Sequence, residues 1–169
     1  MKRVILGTTV AGLVLVGLLV VAGGIVYAYG TTLPVHHTAS VTAVVPASPE
    51  AVFDLIRDPV HGPRWRADVA RVEMQGLTRW VEHGEDVLTF EVRVAERPHR
   101  FVTEVVEHPD FGGTWTWELA PEGDGTRVHL TEDGEVYSPL FRGVMTLMSW
   151  ESANIETRLQ ELDAAFADP

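Results

Sequence analysis

The chain has 169 residues, no cysteine and a formal net charge of −11. That length builds one domain with a sizeable core plus a short appendage, and the missing cysteine excludes disulfides, thiolate-bound metal, iron–sulfur clusters and a thiol nucleophile. Lys2 is the single lysine, and beyond Arg3 there are 11 arginines against 24 acids, a balance that repels phosphate backbones and anionic lipid surfaces and makes nucleic acid an unexpected partner.

The first segment differs from the rest. Met1-Lys2-Arg3 is basic, and Val4 to Tyr29 carries no charge. As a helix that run reaches about 39 Å, enough for a hydrocarbon core of about 30 Å. Val26-Tyr27-Ala28 offers small residues at a signal-cleavage spacing. The apolar run, however, exceeds the roughly 7–15 residues of a signal-peptide core. Residues 1–30 are therefore read as a retained transmembrane anchor, with a cleaved signal as the alternative. The basic pair sets the N-terminus in the cytoplasm. The expected arrangement is a single-pass protein of the cell membrane with its domain outside the cytoplasm. Residues 31–35 form a linker and 36–169 the domain.

His36 to Val45 is rich in β-branched residues and predicts a strand. Ser48 is a good N-cap with Pro49 at the first helical position, and Val52, Phe53 and Ile56 share one helical face. Asp58-Pro59 ends that helix, and a second short helix follows through Pro63 to Val69, carrying Trp65. Strands are expected at about 69–75, 78–83, 86–96, 99–107, 113–119 and 125–137, separated by turn residues such as Arg97-Pro98 and Gly123-Asp124-Gly125. Short connections make the sheet antiparallel. Ser138-Pro139 repeats the helix-start signal. Phe141, Val144, Met148, Ser152, Ile155, Leu159, Leu162 and Phe166 then follow at helical spacing, predicting a long amphipathic helix of roughly 28 residues.

Alternation assigns the faces of the sheet. Leu88, Phe90, Val92 and Val94, then Phe101, Thr103 and Val105, Trp115, Trp117 and Leu119, and Val128 and Leu130 share an inward phase. That apolar, aromatic face has to be covered, and the C-terminal helix is the one element large enough to cover it. Continuing the last phase puts Asp133 and Glu135 in solvent and Glu132 inside. Two readings of Glu132 stand: a bulge at Gly134 or a rim position removes it from the interior, or it makes a polar contact within a cavity.

The order of elements and several motifs resemble the START-like superfamily, the polyketide cyclase/dehydrase and lipid-transport family with its helix-grip fold. The carriers of the resemblance are Pro46-Ala-Ser-Pro-Glu-Ala-Val-Phe-Asp-Leu-Ile56 after the first strand, Trp65, Gly125-Thr-Arg-Val128 opening the last strand, and Glu132-Asp-Gly-Glu-Val-Tyr-Ser-Pro-Leu-Phe-Arg142 leading into the long helix. The resemblance covers residues of about 36–167. It implies an α+β fold in which a curved antiparallel sheet wraps a long C-terminal helix around an apolar cavity. It implies as cavity lining Phe90, Val92, Phe101, Trp115, Trp117, Leu130, Glu132, Phe141, Met145 and Met148. The alternative is that these bulky side chains fill the space.

Catalytic signatures are lacking. There is no GxSxG and no HExxH. His36 and His37 are strand neighbours that point to opposite faces and so cannot chelate one metal together. Glu132 is the one inward acid, and no inward histidine or arginine is expected to pair with it. No catalytic residue, metal site or cofactor is therefore assigned. The expected function is a membrane-anchored binding or carrier domain for an apolar small molecule or lipid. A cyclase- or hydrolase-like enzyme using the same cavity, or a filled-core interaction module, are the alternatives.

Overall fold

The computed structural model describes residues 2–148 and 150–167, with side chains described for 12–148 and 154–167. Helix α1 spans Lys2–Thr32, and within it Gly12–Thr32 is apolar and long enough to cross a bilayer, with mean hydropathy 2.2. It runs two residues into the expected linker, where Thr31 and Thr32 turn their hydroxyls back onto the carbonyls of Ala28 and Tyr29, each at 2.7 Å.

Strand β1, His36–Val45, leads to helix α2, Pro49–Arg57, and a 3-10 turn at Pro59–Arg64. The Ser48 hydroxyl accepts the Ala51 N–H at 3.3 Å, and Val52 and Phe53 are buried. Ser48→Ala leaves that N–H without its cap. It should lower stability by about 1 kcal/mol, read as a fall in the thermal midpoint with unchanged far-ultraviolet dichroism.

Six further strands follow: β2 Val69–Met74, β3 Arg79–Gly84, β4 Val87–Glu96, β5 Arg100–Val106, β6 Phe111–Glu122 and β7 Gly125–Val136. They form one antiparallel sheet in the order β1-β7-β6-β5-β4-β3-β2, so the first strand closes against the last. The expected inward phase holds with one correction. Val92 pairs with Thr103, but after a register shift Val94 pairs with Val102. Val102 is off the inward phase of Phe101 and Thr103, so Val94 turns to the outer face. A bulge at Arg93 inserts one residue and bends the strand, which alternation alone does not reveal.

The expected long helix is described as α3, Pro139–Met148, and α4, Trp150–Ala167, on either side of Ser149, which lies outside the described residues. Ile155, Leu159 and Leu162 of α4 are buried, and Phe166 packs beside them. They join Val45, Phe53, Trp80, Phe90, Phe101, Trp117, Val128 and Leu130 in one core. Each such burial contributes roughly 1.5–3 kcal/mol before the entropy of ordering is set against it. The fold is α+β, a curved seven-stranded sheet with helices gripped against its inner face.

Candidate functional site

Across the inner face one row of cross-strand neighbours reads Ala39, Glu132, Trp115, Thr103 and Val92, on β1, β7, β6, β5 and β4. The β7 register is unbroken from Glu132 through Gly134 against both neighbours. Gly134 is therefore not a bulge, and Glu132 keeps its inward phase. Its side chain is 17 % exposed. Burial pushes its carboxyl up to about 7, with the charge of Arg158 opposing the rise.

Gly134 has a different role. A Cβ there would meet the imidazole of His37, its cross-strand neighbour. The glycine makes room for the His37 ring to lie over the sheet, with Nε2 4.0 Å from a Glu132 oxygen. His37 shares its phase with Ala39, Val41, Ala43 and Val45, so its inward direction could have been counted back from Val45. The expectation that no histidine or arginine joins Glu132 inside is thus corrected.

Arg158 completes the correction, and a second buried arginine, Arg66, lies next to it. Arg158 of α4 lies over the Trp115 ring, 5.3 Å from its centroid, and pairs with Asp68 at 2.8 Å. Burial and the neighbouring Arg66 lower its pKa to about 10, while Asp68, Glu82 and Glu161 hold it up. Arg66 follows the 3-10 turn. It forks onto Asp68 and reaches Glu82 at 2.7 Å, and Glu82 also accepts the Trp80 indole N–H at 3.0 Å. The Ala67 N–H donates to Glu161 at 2.8 Å. A seam of paired charges therefore runs under α4. The spacing of Ile155, Arg158, Leu159 and Leu162 already places Arg158 on the buried stripe. The position of Arg66 has no such periodic signal.

Two pockets open on the domain; the larger borders the seam, and neither is lined by Glu132 or Trp115. One of about 180 Å³ is lined by Leu33, Val35, His37, Val136, Arg142 and Met145, among others. The other, about 720 Å³ and more open, lies between the 3-10 turn and α4, with Trp65, Arg66, Glu161 and Phe166 on its walls. The residues expected to line a cavity divide between several places. Phe90, Phe101, Trp117 and Leu130 are buried in the core, with Val92 and Trp115 packed against it. Glu132 is inward, and Met145 lines the smaller pocket. Phe141 packs edge-on against Phe111, with ring centroids 4.9 Å apart. Met148 is 56 % exposed, because α3 leans toward α1 rather than over the sheet.

A family model described as polyketide cyclase / dehydrase and lipid transport matches residues 36–167. No curated protein matches the chain. Among solved structures, a START superfamily protein from Mycobacterium smegmatis is 17 % identical and superposes with a TM-score of 0.65, covering 78 % of this chain and 97 % of its own. A conserved protein from Geobacillus kaustophilus is 15 % identical with a TM-score of 0.67, covering 78 % and 95 %. A protein of Thermus thermophilus is 27 % identical with a TM-score of 0.59, covering 76 % and 95 %.

Proposed function

We propose that this chain, which belongs to the polyketide cyclase / dehydrase and lipid transport family, binds an apolar small molecule or lipid that carries one polar group, and does so anchored in a membrane by α1. The family is one of START-like ligand-binding domains. The observation that carries the finer reading is Glu132: a carboxyl near neutrality on an aromatic face, beside His37 and Arg158. A protonated or hydrogen-bonded carboxyl there suits a hydroxyl, amine or amide head group, because a buried polar atom needs a partner. The body of the ligand would lie along Val92, Trp115 and Met145, over a floor made by Phe90, Phe101, Trp117 and Leu130. Phe141 closes one end, and Met148 has no part in it. The apolar length of Gly12–Thr32 supports the anchor, and Lys2-Arg3 supports a cytoplasmic N-terminus with the domain outside.

One observation favours a second reading. A carboxyl titrating near 7 with an imidazole 4.0 Å away is a pair suited to moving a proton within a bound apolar substrate. Both readings use the same inner face of the sheet around Glu132.

Native mass spectrometry of the full chain, released from nanodiscs after incubation with a host lipid extract, tests them. The expected result is a stoichiometric adduct that is lost in Val92→Trp, which fills the inner face, while unspecific annular lipid persists in both. With the incubation run in deuterated buffer, an adduct that gains carbon-bound deuterium over time, retained after return to ordinary water, supports the proton-transfer reading. Identical lipid retention in a folded Val92→Trp variant overturns the binding proposal.

A further inference from the structure

Helix α3 is an anomaly in so acidic a domain. From Val136 to Trp150 the only charged residue is Arg142. Its guanidinium donates to the carbonyls of Val136, Tyr137 and Gly30, at 2.7, 3.0 and 3.1 Å. That charge is therefore turned onto backbone oxygens, including one at the end of α1. Meanwhile Leu140, Leu147 and Met148 are exposed, Leu147 at 64 %.

The position of α3 is fixed by close packing against α1. A Cβ on Gly30 would fall on the Pro139 carbonyl, and a Cβ on Gly143 would stand 2.6 Å from the Val26 carbonyl oxygen. Two glycines thus let the helix backbones touch, as small residues do at crossings inside membranes. The exposed apolar residues of α3 become an extension of the exposed apolar surface of α1, whose last turns carry Ile25, Tyr27 and Tyr29. Tyr27, Tyr29 and Tyr137 are all exposed there, and tyrosine collects at the level of lipid head groups.

We infer that α3 lies in the bilayer interface as a second membrane contact, inserting Leu140, Leu147 and Met148 among the lipids beside the anchor. This rests on the reading of α1 as a membrane span. The bilayer is the occupant because α3 offers no charge to an ionic partner and its apolar face is continuous with that of the span. The same placement brings the pocket lined by Leu33, His37, Arg142 and Met145 to the lipid surface, on the side from which a lipid ligand would enter.

The chain has no cysteine, so single cysteines can be introduced and labelled with an environment-sensitive fluorophore. Leu140→Cys and Leu147→Cys report on α3, and Val20→Cys reports on the span. Leu77→Cys, at a fully exposed site in the β2–β3 turn, reports on water. In neutral phosphatidylcholine vesicles holding the full chain, nitroxide-bearing lipids should quench the Leu140 and Leu147 labels several-fold more than the Leu77 label, and aqueous iodide should do the reverse. If the Val20 label is quenched by lipid while the α3 labels behave like Leu77, the inference fails and the anchor stands. If the Val20 label is also untouched by lipid, the anchor reading fails and the inference falls with it.

Discussion

Replacing Arg66 with methionine should destabilise the domain by about 3–5 kcal/mol, the cost of removing one partner from a buried ion pair. The Arg66 and Glu82 side chains are 10 % and 7 % exposed. Burial opposes the charge on Arg66, and Glu82 and Asp68 more than offset it, so its pKa stands above the usual arginine value. Without Arg66, the Glu82 carboxylate keeps the Trp80 indole N–H and the more distant charge of Arg158 but loses the one cation bonded to it. Asp68 suffers less, because it is about half exposed and still pairs with Arg158. Arg66→Met combined with Glu82→Gln should recover most of the loss, since a neutral amide in the same place needs no counter-charge. Equilibrium unfolding of the three proteins in one mild detergent measures both numbers. A loss below about 1 kcal/mol for Arg66→Met would mean that water reaches Glu82 and that the seam under α4 is solvated.

Features set by local chemistry are legible in the sequence, and those set by long-range packing are not. Ser48-Pro49 and Ser138-Pro139 announce helix starts through chemistry local to a few positions, and both serine hydroxyls do accept a helical N–H. Alternation placed Glu132 correctly because β7 runs without a bulge from Val128 onward. It failed at Val94, where the inserted residue changes the phase without any glycine to mark it. The ion pairs joining Arg66, Glu82, Asp68 and Arg158 link positions up to 90 residues apart. They depend on how α4 is laid across the sheet, and no local pattern encodes that. The departure of α3 toward α1 was hidden because its apolar spacing continues that of α4. Only the contact of Gly30 with Pro139 and of Gly143 with Val26 shows that the two helices serve different surfaces.

Glu132→Gln should do the opposite of Arg66→Met and stabilise the protein, to a degree set by pH. The folded carboxyl titrates at about 7, against an ordinary value of 4.5. A raised carboxyl binds its proton more tightly in the folded chain than in the unfolded one, so wild-type stability falls as pH rises from about 4.5 to 7 and then levels. The full difference corresponds to about 3 kcal/mol, and roughly 2 kcal/mol of it accrues between pH 5 and pH 7. Glutamine keeps the shape and the hydrogen-bonding end and removes the charge, so it escapes this penalty. The groups facing Glu132 are His37 on β1 and Arg158 on α4, and the attraction of Arg158 is already included in the direction of the shift. Melting both proteins at pH 5, 7 and 8 isolates the effect, because every titration not coupled to Glu132 cancels in the difference. The variant should be several degrees more stable at pH 7 and 8 and near parity at pH 5. Equal stability at all three would make Glu132 a solvated rim acid. A clear loss at pH 7 would show a carboxylate held by Arg158, with its pKa lowered rather than raised. A permanently charged, already partnered acid has little to offer the polar group of an apolar ligand. That outcome would remove the observation on which both proposed roles of the inner face stand.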